Sequence, residues 1–216
     1  MLTLFGFPYF RTNIDPNSYD KKNIVSTIEK NYKLDSNRNN YDDVSEFHNS
    51  YNDWENTNFV KPNFEKLIPL YTQQIQNFFD NLITSSNEVT FIYEIVNYTC
   101  MGVNQFMNQH LHPSDFVAVH YISFPKGSQP TTHYNLSDYA RYINPFLSLK
   151  NLRKLYRNDD INQSWLFDAW NPETFEDDFI ITPGIITHSV NKNNCKDLRI
   201  TIILNINVTI HDTTTA

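Results

Sequence analysis

The chain has 216 residues, 40% of them hydrophobic and 15% aromatic, with a formal net charge of -7 at pH 7. This length suits a single domain, 1–216, with a sizeable core, and an acidic balance argues against a nucleic-acid surface built on a net positive field. No apolar run reaches the ~18 residues of a membrane-spanning helix. The opening MLTLFGFPYFRTN lacks a basic segment and a small-residue cleavage site, so no secretory leader is expected and the expected setting is cytoplasmic. Cys100 and Cys195, without CxxC spacing, provide neither a disulfide framework nor a thiolate zinc site.

Residues 1–87 read as mostly helical. After the Asp15-Pro16 turn signal, 19–32 can form a helix, and 36–58 is a dense polar loop. The clearer helix is 63–82, where Phe64, Leu67, Ile68, Tyr71, Ile75, Phe78, Phe79 and Leu82 recur at three- and four-residue steps. Pro69 inside this run either kinks the helix or marks its true start. That apolar stripe is expected to pack against a sheet.

Beyond residue 88 the period becomes that of strands. Strands are predicted over 89–98, rich in β-branched and aromatic residues, and over 116–124, stopped by Pro125-Lys126-Gly127. Residues 131–162 read as a polar insertion, helical over 136–155 with a break near Pro145 and suited to form a substrate lid. Strands resume at 165–170, 178–182, 185–190 and 198–209. Many short strands after one long helix predict a mainly β protein with flanking helices, a double-stranded β-helix or cupin-like jelly roll with its core over 88–210.

The residues that carry chemistry lie in this second half. His110 and His112 stand at i and i+2, which on a strand places both on one face, and His188 comes from a distant strand after the Pro183-Gly184 turn. Imidazole suits iron, zinc, copper or nickel, and three protein ligands leave half of an octahedron open. His48, His120, His133 and His211 read as surface or satisfied core residues. Arg199 and Thr201 share one face of the last strand, opposite Leu198, Ile200 and Ile202. A guanidinium fork there would pair bidentately with a carboxylate, with threonine adding a hydrogen bond. The competing reading of Arg199 is a structural ion pair with one of the abundant acids.

The order His-x-His-Pro, a strand carrying Tyr121, a Pro-containing turn, His188 and Arg199-x-Thr201 resembles the 2-oxoglutarate and Fe(II)-dependent oxygenases. It is most similar to a bacterial and phage subgroup in which His-x-His-Pro replaces the usual His-x-Asp. The resemblance covers roughly 92–208, with a looser match of 1–10 to an opening strand. It implies a hydroxylase-type enzyme using O2, with Fe(II) held by the histidines and 2-oxoglutarate chelating it. The distal carboxylate of 2-oxoglutarate would pair with Arg199, with Thr201 and, by looser analogy, Tyr98 assisting. Three histidines would leave the metal more positive than a site with a carboxylate; in the alternative, Asp115 supplies an oxygen ligand and one histidine becomes a supporting residue.

Two other functions compete. A cupin-type dioxygenase or isomerase would use the histidines without 2-oxoglutarate. A non-enzymatic, virus-encoded jelly roll would bind a partner, with Tyr19, Tyr32, Tyr41, Tyr51 and Trp54 as an interaction surface or, more simply, as packing anchors. The substrate, a protein side chain or a small metabolite, is not encoded in any motif.

Overall fold

The computed structural model describes residues 2–39, 42–50, 58–82, 88–136 and 167–211. The chain opens with a hairpin of β1 (Leu2–Leu4) and β2 (Phe7–Asn13). Its two-residue turn, Phe5-Gly6, has φ of 54° and 86°, the twist that hairpin turns favour. Helix α1 (Lys21–Leu34), the short β3 (His48–Asn49) and helix α2 (Leu67–Leu82) follow. Then come β4 (Glu88–Met101), β5 (Met107–His110), β6 (Phe116–Ser123) and β7 (Thr131–Tyr134). The last elements are β8 (Ala169–Trp170), β9 (Asp178–Pro183), β10 (His188–Val190) and β11 (Arg199–His211).

These strands form a seven-stranded sheet, β1-β2-β9-β6-β11-β4-β3, and a four-stranded sheet, β5-β10-β7-β8. Every neighbouring pair is antiparallel. Alternation along β11 divides the molecule into two layers. Ile200, Ile202, Leu204 and Ile206 face the helices and pack with Ile24, Ile28, Leu67, Tyr71, Ile75 and Phe78. Arg199, Thr201, Ile203 and Asn205 point the other way, into a cavity between the sheets. Each fully buried aliphatic or aromatic side chain in the helical layer contributes roughly 1.5–3 kcal/mol, so α2 works as a hydrophobic brace behind the long central strands.

The mainly β architecture with flanking helices is as expected, and several boundaries move. Pro69 sits in the first turn of α2, where its missing N–H breaks no helical bond, so it marks the start. The opening strand expected over 1–10 is a hairpin, whose β2 pairs with β9 and extends the large sheet. Residues 131–134 are a strand rather than the beginning of an insertion, pairing with both β10 and β8. The predicted helix at 136–155 lies outside the described residues apart from Leu136, and of the predicted strand at 165–170 residues 165 and 166 lie outside them too, while among the described 167–170 Ala169–Trp170 is strand. The strand carrying His188 begins at His188 itself, because Pro183 to Ile186 closes a turn through Ile186 N–H to Pro183 O at 3.2 Å. Tyr19 is buried in the core and Tyr32 is partly buried, so both are packing anchors; Tyr41, Tyr51 and Trp54 lie outside the described residues. No helix among the described residues is long and apolar enough to cross a membrane.

Candidate metal centre

Sheet register brings the histidines together. His188 on β10 pairs with His110 on β5 and, on its other side, with His133 on β7. His112 lies two residues beyond the end of β5, in the loop 111–115, so the i, i+2 relation of the pair survives although only His110 is in the strand. Each of His110, His112 and His188 offers a ring nitrogen within 4.8 Å of the others. The ring centroids are 4.3 Å apart for His110–His188, 5.2 Å for His112–His188 and 5.5 Å for His110–His112.

Local hydrogen bonds orient these rings. His110 Nδ1 meets Asn108 O at 2.9 Å, and His188 Nδ1 meets Ile186 O at 2.9 Å. A carbonyl can only accept, so each Nδ1 carries the proton and each Nε2 keeps its lone pair for a metal. The Asn205 side chain lies beside His112 and favours its charged form, a smaller effect than burial. Burial lowers the pKa of all three, that of His112 to about 4, so the rings are neutral at pH 7 and ready to ligate. The donor set thus fits a divalent cation that accepts imidazole.

The loop carrying His112 is clamped to the turn preceding His188. His112 N–H donates to Gly184 O and Gly184 N–H to Asp115 O, both at 3.0 Å. A Cβ on Gly184 would collide with Ser114 O, so only glycine permits this approach. The Asp115 carboxylate accepts from Val208 N–H at 2.8 Å, on the other side of its loop, and Asp115 is not among the clustered ligand groups.

Arg199 is 1% exposed, the bulkiest of the fully buried side chains. Its Nε donates to Gln129 O at 3.1 Å, and its Nη2 lies 3.4 Å from Thr131 Oγ1. Tyr121 stacks 5.3 Å from the guanidinium and shares Thr131 Oγ1 through a 2.8 Å bond. Among the described residues no carboxylate pairs with Arg199, so the structural ion-pair reading has no partner there. Thr201 stands on the same face, its hydroxyl 2.6 Å from that of Thr99. The cavity holding Arg199, Thr201 and the three histidines measures about 460 Å³.

Tyr98 is a correction. It pairs with Ile202 and therefore faces the helices, where its hydroxyl accepts from Asn31 Nδ2 at 2.6 Å and lies 3.3 Å from His48 Nε2. Its neighbour Thr99 takes the cavity-facing place. His48 is a core residue bonded to Asp35 O; His120 is buried with its Nδ1 on the Tyr71 hydroxyl, while its Nε2 has no hydrogen-bond partner and lies 4.0 Å from Asp177 Oδ1; His211 is exposed beside Thr90. His133 is also buried, next to His188, with its Nδ1 unpartnered. Tyr121, Thr131, Asn205 and Gly184 were not identified as supports in the sequence, since only the pairing of strands shows what they touch.

Two facing antiparallel sheets with an internal histidine cluster define the double-stranded β-helix class. No protein-family profile and no curated protein matches the chain in sequence. In three dimensions it is similar to the non-heme alpha ketoglutarate dependent carbocyclase SnoK from nogalamycin biosynthesis, with a TM-score of 0.54, 10% identity and coverage of 93% of this chain and 79% of that one. It is also similar to AviO1 from Streptomyces viridochromogenes Tue57, with a TM-score of 0.51, 8% identity and coverage of 97% and 92%. Against an oxidoreductase of the 2OG-Fe(II) oxygenase family from Burkholderia pseudomallei the TM-score is 0.42 at 13% identity, covering 66% of this chain and 56% of that one. The likenesses to SnoK and AviO1 establish the fold.

Proposed function

We propose that the chain is an Fe(II)- and 2-oxoglutarate-dependent oxygenase of the hydroxylase type, within the 2-oxoglutarate oxygenase superfamily and its bacterial and phage subgroup with His-x-His-Pro. His110, His112 and His188 are the metal ligands, and Arg199 with Thr201 receives the distal carboxylate of 2-oxoglutarate. The observation that carries this reading is a buried guanidinium without a carboxylate partner among the described residues, sharing one cavity with three convergent imidazoles. A buried cation in that state is costly unless an anion joins it. A metal site without 2-oxoglutarate would leave Arg199 unexplained.

When bound, Fe(II) and 2-oxoglutarate supply the oxidising chemistry, with O2 consumed, 2-oxoglutarate decarboxylated to succinate and the substrate hydroxylated. The chain positions and shields. His110 and His188, their Nδ1 protons held by backbone carbonyls, would offer the metal their Nε2 lone pairs. Arg199 is itself held by Gln129 O and Thr131, so its fork is preorganised for a carboxylate. Val119, Val190, Ile203 and Met107 line the cavity with apolar surface that excludes water.

Equilibrium binding under anaerobic conditions tests the assignment. His188→Ala is expected to abolish tight metal binding, while Arg199→Ala keeps the metal and weakens 2-oxoglutarate on the order of 100-fold, the cost of losing a buried charge-assisted pair. Metal binding without any 2-oxoglutarate binding by the wild type would instead support a cupin-type dioxygenase, and binding of neither a non-enzymatic jelly roll.

A further inference from the structure

The cavity that holds the histidines is electrically polarised along its length. Of the described residues lining it, Arg199 is the one guanidinium and Glu94 the one carboxylate. Glu94 pairs across β4 and β11 with Asn205, which lines the same cavity as His112. Asn205 is further along β11 than Arg199, roughly 20 Å away at the ordinary strand rise. Thr131, which touches Arg199, pairs with Val190, two residues along β10 from His188. The histidines therefore lie between a cationic inner end and an acidic outer end.

Two acceptors without donors lie along the outer half of the cavity. Glu94 is exposed, and its carboxylate makes no hydrogen bond or ion pair among the described residues. Asn97, on the same cavity wall, spends its Nδ2 on Asn49 Oδ1 at 2.8 Å, and its own Oδ1 is buried with no partner. A carboxylate and an amide oxygen without donors form the complement of a group that carries both positive charge and N–H bonds.

We infer that the substrate bears a protonated amine or guanidinium, such as a basic amino-acid side chain, recognised by Glu94 and Asn97 at the outer end of the cavity. This inference rests on the proposed oxygenase reading for the position of the reacting centre. The polarity itself does not depend on that reading. A cationic group drawn to Glu94 is repelled from Arg199, so the two ends sort substrate from the dianionic co-substrate.

The test uses the full chain loaded with Ni(II) and 2-oxoglutarate, which blocks turnover. Calorimetry compares Nα-acetyl-lysine methylamide with its Nε-acetylated form and with the norleucine counterpart. The lysine probe is expected to bind about fivefold tighter than either neutral probe, the scale of a partly exposed ion pair with hydrogen bonds. Glu94→Gln should erase that preference, and Glu94→Lys should turn it toward the glutamate counterpart. Equal binding of the three probes, binding of none, or a preference that survives Glu94→Gln would overturn the inference. Failure to load Ni(II) or 2-oxoglutarate would instead strike the oxygenase reading, and the same titration on the metal-free protein still reads the cation preference.

Discussion

Replacing Gly184 by alanine perturbs the metal centre without touching a ligand. The backbone at Gly184 is not in the left-handed region, so alanine is conformationally allowed and the effect is purely steric. Its Cβ would overlap Ser114 O and lie 2.9 Å from His112 O. Ordinary contact requires the loop 111–115 to retreat by on the order of 1 Å. That shift stretches both 3.0 Å backbone bonds of the clamp and carries His112 away from His110 and His188. Displacing a ligand through its support costs roughly 10–100-fold in metal affinity, and overpacking costs about 1–3 kcal/mol of stability. Competition for Ni(II) against a chromophoric chelator reads the first and urea unfolding of the metal-free protein the second. Gly102→Ala is the control: its Cβ would strike the Tyr32 hydroxyl, away from the histidines, so it should cost stability and spare metal affinity. A Gly184→Ala protein that is folded and binds Ni(II) like the wild type would refute the clamp.

Tyr98→Phe should leave 2-oxoglutarate affinity unchanged and destabilise the protein by about 1 kcal/mol through the lost Asn31 bond; calorimetric titration and urea unfolding measure the two. Asp115→Asn should keep metal affinity within about twofold, because the side chain serves Val208 N–H and an amide oxygen can still accept that bond. The metal-free protein should lose stability below pH 6.5. Burial, with Lys21 adding to it, holds His120 at about 3, so the unfolded chain takes up a proton that the folded chain refuses. This contribution is whole above pH 6.5 and drains away as pH falls toward 3, on the order of 5 kcal/mol in all. His112 and His133, each lowered to about 4 chiefly by burial, act in the same direction. Urea unfolding between pH 4 and 8 should show the slope, and a His120→Phe, Tyr71→Phe double variant should flatten it.

Periodic signals were legible in the sequence, and pairings were not. The stripe of Leu67, Tyr71, Ile75 and Phe78 located α2, and the alternation in β11 separated Arg199 and Thr201 from the isoleucines. The three histidines were visible by residue type and order. Tyr98 was misplaced because register decides facing, and one residue of parity exchanges Tyr98 for Thr99. The bulge between Ile203 and Leu204, which brings Glu94 opposite Asn205, leaves no mark in composition. Strand β7 is four residues long, too short to show a period, so His133 could not be aligned with His188. The opening strand was expected over 1–10, but its hairpin turn was not legible because it uses Phe5 at φ 54°, where Asn or Gly is the usual signal.

The most direct measurement of the central claim is succinate formation. With Fe(II), 2-oxoglutarate and O2 supplied together, the wild-type protein is expected to release succinate faster than His188→Ala and Arg199→Ala proteins of intact fold. Succinate at the no-protein rate from a wild type shown to be folded and iron-loaded would contradict the account.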